Sequence, residues 1–331
     1  MMKSLYVTSN GTLHRRQNTL YFETEDGKRK YVPVENTQEI LIFGEISINK
    51  KLLDFISQQG ILLHFFNYYG YYSGTFYPRE HNNSGCTILA QATFYQDKEK
   101  RLEIARKFVE GAIENIMKVL GYYNNRGSDL KQRIENIENI KENIYKVNNI
   151  QELMGMEGNC RDIYYGAFDA ILNNEDFSFD RRSKQPPRNR LNALISFGNS
   201  LIYIATLSEI YKTHLDPRIG FLHSTNFRNF SLNLDLAEIF KPIIADRIIF
   251  TLINKKMINK DDFDSKMKGT YLSDKGRETY LREFDNRMEQ TIKHPDLKRN
   301  VSYRRLIRLE AYKIEKHLLG DKKYSPWVAR W

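Results

Sequence analysis

The sequence predicts an α+β fold, with a small N-terminal β-rich, β-sandwich-like domain over residues 1–85 and a larger all-α domain over residues 86–331. Three observations lead there. The chain has 331 residues, about what two domains of roughly 100–200 residues each occupy. Up to about residue 80, short apolar runs alternate with turn signals. After the polar, glycine-ended stretch 81–85 (HNNSG), the apolar period changes from that of a strand to that of a helix.

The elements follow in order. Residues 3–8 alternate loosely, and Ser9-Asn10-Gly11 marks a tight turn. Residues 18–24 and 28–34 flank Glu25-Asp26-Gly27, a second hairpin signal. Residues 39–43 form a short apolar strand. Residues 49–59 have helical spacing and stop at Gly60. Residues 61–66 are apolar apart from His64 and read as a buried strand. The tract 65–77 is dense in aromatics and glycine; a base-stacking platform fits it, but a β edge with a packed interface fits it better. Beyond residue 85, Leu102, Ala105, Phe108, Ala112, Ile116 and Val119 follow one helix face. Residues 124–149 read as a solvated helix carrying Ile134, Ile137, Ile140 and Ile144. Residues 191–210 are apolar nearly all round, hence buried. The basic loop 181–190 (RRSKQPPRNR) and the segment 216–231 break the helical pattern.

Composition narrows the function. No apolar run reaches about 18 residues, so no membrane-spanning helix is expected. The start of the chain lacks the pattern of a secretion signal, so a cytoplasmic protein is expected. Cys86 and Cys160 have no metal-binding or disulfide spacing and are expected to be small buried residues. Any metal must then take oxygen or imidazole ligands. The formal net charge of +10 favours a polyanionic partner, such as nucleic acid or an anionic membrane surface.

Chemistry-bearing residues concentrate in the helical half. Glu157 lies in LMGMEGN (153–159), among apolar residues and read as near a helix start. His223 closes GFLH (220–223). Asp235 and Glu238 are three apart in SLNLDLAEIFKP (231–242), so they share one helix face. Each has an ordinary explanation: a carboxylate at a helix N-terminus, a half-buried hydrogen-bonded histidine, or acids paired with Arg161 or Arg247. Taken together, two glutamates and a histidine make a three-ligand site suited to Mg²⁺ or Mn²⁺. Asn192, Ser196 and Tyr203 form a polar stripe on the apolar helix 191–210. That stripe either bonds a neighbouring helix or faces a metal and a phosphate. Arg181, Arg182 and Arg188 precede it and would contact a DNA backbone.

These blocks, with PPRNRLNALISFGNSLIY (186–203) and RRLIRLEAYKIEKHLLG (304–320), resemble the CRISPR-associated integrase family, the catalytic subunit of spacer acquisition. The resemblance spans essentially the whole chain. It implies Glu157, His223 and Glu238 as metal ligands, Asp235 as an auxiliary acid and Lys241 as a basic residue near the active site. It also implies metal-dependent strand transfer that inserts short foreign DNA fragments into a CRISPR array, with endonuclease activity. The implied partners are double-stranded DNA, a second copy of the chain joined through the β-rich domain, and a small second adaptation subunit. Two departures stand out. The last ligand is often aspartate in the family, and many relatives carry a basic residue where this chain has Asp162, with Arg161 one before. Two alternatives share the residues: a metal-dependent nuclease acting on branched DNA or RNA, and a non-enzymatic nucleic-acid scaffold whose acids pair with Arg161 or Arg247.

Overall fold

In the computed structural model, residues 3–79, 82, 84–224, 230–266 and 269–330 are described. The chain divides into two units, residues 1–81 and 82–331. The first holds strands β1 (Lys3–Val7), β2 (Gly11–Arg16), β3 (Thr19–Thr24), β4 (Arg29–Val32), β5 (Thr37–Ile42) and β6 (Ile46–Ser47), helix α1 (Lys50–Gln59), and strands β7 (Leu62–Phe66) and β8 (Tyr72–Phe76). They form two four-stranded sheets, ordered β1-β5-β7-β8 and β4-β3-β2-β6. Alternating residues of both sheets turn inward. Leu13 and Leu20 from one, Ile40, Ile42 and Leu63 from the other, and Leu52, Phe55 and Ile56 of α1 share a single core. The expected helix is present, with the Asn49 side chain accepting from Leu52 N and Gly60 ending it in the left-handed region at φ 65°.

The turn at Ser9-Asn10-Gly11 differs from the expectation. It makes no hairpin, because β1 pairs in parallel with β5 and β2 pairs antiparallel with β3. It instead carries the chain from one sheet to the other. Gly44 crosses it so closely that an added Cβ would collide with the Ser9 carbonyl.

The second unit holds helices α2 (Gly85–Gln96), α3 (Lys98–Asn124), α4 (Lys131–Asn143), α5 (Ile150–Tyr165), α6 (Phe168–Leu172), α7 (Arg190–Ile210), α8 (Leu232–Phe240), α9 (Arg247–Asn254), α10 (Asp274–Glu289) and α11 (Tyr303–Leu318). It is not purely helical. Two short antiparallel pairs interrupt it, β9 (Phe263–Lys266) with β10 (Gly269–Leu272) and β11 (Thr291–Lys293) with β12 (Asn300–Ser302). Helix α7 is long and apolar enough to cross a membrane by composition, yet it is a core helix buried in this unit. Helices α3 and α7 both pack on α8, and α5 packs on α3. Cys160 is buried as expected, whereas Cys86 is exposed on α2.

Candidate metal centre

Helix α5 carries Glu157 and Arg161 one turn apart. The helix begins at Ile150, where the Asn149 side chain accepts from Glu152 N. Glu157 is therefore mid-helix, not near a start, and the helix dipole does not account for a carboxylate there.

Helix α8 carries Asp235 and Glu238 on one buried face. Pro242 then opens a π-helical turn, Pro242–Asp246, ahead of α9. Proline has no N–H, so the Glu238 carbonyl loses its helical donor. Arg161 replaces it: Nη2 donates to Glu238 O at 3.0 Å and to Glu238 Oε2 at 2.6 Å. The same guanidinium donates from Nε to Glu157 Oε1 at 3.0 Å. Lys241 Nζ donates to Glu238 Oε1 at 2.5 Å and lies 4.7 Å from the centre of the Tyr203 ring. Two acids thus share two cations in an enclosed site. Of the partners expected for the acids, Arg161 is used. Arg247 stacks on Tyr122 instead, 4.7 Å from its ring centre.

His223 is delivered by a loop, and Asp235 shapes that loop. Asp235 Oδ2 accepts from Phe221 N at 2.6 Å and Leu222 N at 3.0 Å. Its Oδ1 accepts from His223 N at 2.9 Å and lies 2.8 Å from His223 Nδ1. A side chain at position 220 would crowd Ser231 and Asp235 Oδ2, so glycine stands there. Gln91 of α2 donates to the carbonyls of Asp216 and Ile219 at 3.0 and 2.9 Å. Arg101 Nε donates to Phe221 O at 2.8 Å. With Nδ1–H directed at a buried carboxylate, Nε2 is the nitrogen left for a ligand, as in histidines that bind metals.

Electrostatics couple the three candidate ligands. Burial, then the charge of Glu238, hold the Glu157 carboxyl above its usual range against the pull of Arg161 and Lys241. Burial also pushes Glu238 upward, but Lys241, Arg161 and His223 together bring it down to about 2. For His223 burial acts downward, and the hydrogen bond and charge of Asp235, with Glu238, outweigh it and raise the ring. Among the described residues no ready group of three metal ligands is assembled, because Arg161 and Lys241 hold the carboxylates. The donor set still fits a divalent ion: two carboxylates and an imidazole oriented from behind.

The N-terminal part of the polar stripe on α7 holds the basic loop, while Tyr203 lies against Lys241. Asn192 is fully buried. Its Oδ1 accepts from Arg182 Nη1 at 2.9 Å and Ser183 N at 3.0 Å, and its Nδ2 donates to Arg181 O at 2.9 Å. Ser196 Oγ accepts from Arg182 Nη2 at 3.0 Å. Asn192 therefore shapes the basic loop from within. Arg181 and Arg188 are exposed.

One residue escaped the sequence reading, and another took a larger part than expected. Arg161 stands at the centre of the site. Asp246, in the π turn, is fully buried beside Tyr164. Burial raises it to about 7, although Arg161 and Lys241 oppose this. The available signal was one acid inside the apolar run 243–250.

With the geometry in place, likeness to known proteins decides the family. The family model described as CRISPR associated protein Cas1 matches residues 5–286. The chain belongs to the Cas1 family. It is 60% identical to the CRISPR-associated endonuclease Cas1 2 of Thermodesulfovibrio yellowstonii, over 331 residues and the whole of both chains. A solved Cas1 protein from Thermotoga maritima superposes with a TM-score of 0.89 at 45% identity, covering 98% of this chain and all of that one. A casposase bound to integration product has the same fold, with a TM-score of 0.89 at 22% identity, covering 98% of this chain and 93% of that chain. The Cas1 fold is thus a strand-rich region followed by a mostly helical one, as the sequence predicts.

Proposed function

We propose that this Cas1 protein is the integrase of CRISPR spacer acquisition. It transfers a 3′-hydroxyl of a short double-stranded DNA fragment onto a phosphodiester at the end of a CRISPR repeat, and it has endonuclease activity. The observation that carries this reading is the enclosed set of Glu157, His223 and Glu238, with His223 oriented by Asp235, in a chain of this family. Those three residues would hold the metal, Mn²⁺ or Mg²⁺; the imidazole favours Mn²⁺. When bound, the ion supplies Lewis-acid stabilisation of charge on the scissile phosphate.

The remaining work belongs to the chain. Asp235 keeps the proton of His223 at Nδ1. Lys241, anchored on Glu238 and lying against Tyr203, adds positive charge where phosphate oxygens arrive. Arg161 keeps the two glutamates together before a metal enters. Arg181 and Arg188 meet the DNA backbone, with Arg182 held by Asn192 and Ser196 to set the loop. Ser196 and Tyr203 would line the route between that loop and the metal. The integration product found on the casposase of the same fold is the kind of product assigned to this chain. Because two ends of a fragment are inserted, two copies are needed; the β-rich region (1–85) is the dimerising domain, and the helical region (86–331) is the catalytic one. A small second adaptation subunit completes the assembly, in the cytoplasm.

A joining assay tests the reaction. Oligonucleotides with a free 3′-hydroxyl should be joined to a repeat-bearing duplex, and those with a blocked 3′ end should not. Cutting that ignores the 3′ end, with no joined product, favours the nuclease reading. The pairing of both glutamates with Arg161 favours the scaffold reading, which requires that Mn²⁺ leave the melting temperature unchanged.

A further inference from the structure

Helix α11 is followed by a tail, residues 319–330, that turns back across α3 and α8. Three of its residues, Tyr324, Trp327 and Ala329, are buried. Trp327 reaches the stretch of α8 between Glu238 and Lys241, while Tyr324 packs on Phe108 of α3 and Ala329 bonds Asn115 of α3. The Trp327 ring stacks on Phe240, with centroids 5.5 Å apart and planes at 12°. Asn115 of α3, fully buried, donates from Nδ2 to Ile239 O at 2.9 Å and to Trp327 O at 3.1 Å. Its Oδ1 accepts from Ala329 N at 2.8 Å. One amide thereby fastens both α8 and the tail to α3. Glu310 of α11 fixes the tail from the other side, its Oε1 accepting from Tyr324 OH at 2.7 Å and Trp327 N at 2.9 Å. Pro326 rests directly on Gly111, where an added Cβ would lie 2.6 Å from the proline Cβ.

Helix α8 needs such a support. It has nine residues, and Pro242 interrupts its last turn, so its own hydrogen bonds define its pose weakly. Ile239 and Phe240 are the two residues between Glu238 and Lys241, and both are held by the tail and Asn115. We propose that Trp327, seated by Asn115 and Glu310, is a positioning residue that sets the pose of α8 and thereby places Glu238 for metal binding. This rests on the reading of Glu238 as a metal ligand. The tail touches no DNA in this role; it acts through Phe240 and Ile239.

The test uses the full chain and Mn²⁺ as the probe. The Mn²⁺ concentration giving half of the maximal rise in melting temperature is measured for wild type, Trp327→Ala, Trp327→Phe and Asn115→Leu, beside half-saturation in the joining assay and DNA affinity. In Trp327→Ala and Asn115→Leu, half-saturating Mn²⁺ should rise about tenfold or more in both assays. DNA affinity should stay within about twofold, and Trp327→Phe should return most of the loss by restoring a stacked ring. A Trp327→Ala protein that melts earlier yet keeps the wild-type Mn²⁺ half-saturation would overturn the proposal. If Trp327→Ala fails to fold, Trp327→Leu, which keeps apolar bulk but not the ring, decides by the same comparison. A wild type stabilised by Mn²⁺ in a way that Glu238→Ala abolishes keeps the metal reading whatever Trp327 does. A wild type that Mn²⁺ leaves unmoved removes both.

Discussion

Glu238 is pushed up by burial and pulled down harder by Lys241, Arg161 and His223. Truncating Arg161 removes the link to Glu157 and leaves two enclosed carboxylates with Lys241 alone. Arg161→Met should therefore destabilise the metal-free protein by about 3–5 kcal/mol in urea unfolding. Mn²⁺ should recover more stability in this variant than in wild type; equal recovery in both would show that Arg161 and the ion do not compete for the same acids. His223 sets the acid limit. Its ring is raised above the usual 6.5, so as pH falls it protonates early and releases the metal. Mn²⁺ affinity, followed by thermal shift, should decline from above pH 6.5, and in Asp235→Asn the decline should begin at lower pH. Asp246 acts in the opposite sense to an ordinary acid. Its folded value of about 7 exceeds its usual 3.8, so the folded protein holds that proton more tightly than the unfolded chain. That stability is present at low pH and is lost as pH rises through about 7. Asp246→Asn should flatten the fall in stability between roughly pH 4 and 7 relative to wild type. The ligand candidates were legible because acids and a histidine stand out in apolar sequence. Arg161 was legible as a partner for the acids but not as a bridge, since only the folded geometry puts one guanidinium between acids 81 residues apart in sequence (157 and 238).

Periodicity predicted the long helices well. Those around residues 50–59, 98–124 and 190–210 carry their own spacing and caps. It missed what depends on tertiary pairing. The Ser9-Asn10-Gly11 turn has the residues of a hairpin, and only the parallel pairing of β1 with β5 makes it a crossing between sheets. The short ladders β9–β10 and β11–β12 have too few residues for a period to emerge. The basic loop ahead of α7 is directly testable. Neutralising exposed Arg181 and Arg188 should weaken DNA binding and reduce the salt slope by about 0.9 for each phosphate left without its cation. Asn192→Ala, which frees the loop without removing charge, should weaken binding less and leave the slope nearly intact. A slope unchanged by the double arginine variant would take DNA off this loop.

In the whole molecule, a sheet-rich unit is followed by a mostly helical one, and the chain belongs to the Cas1 family. The fold class was readable because the apolar period changes once, near residue 81. The candidate metal centre was readable in part: its acids and histidine lie in three separated blocks, and α8 and its loop bring two of them together through Asp235. Glu157, His223 and Glu238 are proposed to hold the metal for DNA strand transfer. The most direct measurement is Mn²⁺-dependent joining of oligonucleotides with a free 3′-hydroxyl, run beside DNA binding, in wild type, Glu157→Ala and His223→Ala. Joining is expected from the wild type only, with DNA affinity kept in both variants; full joining by either variant would contradict the assignment of these ligands.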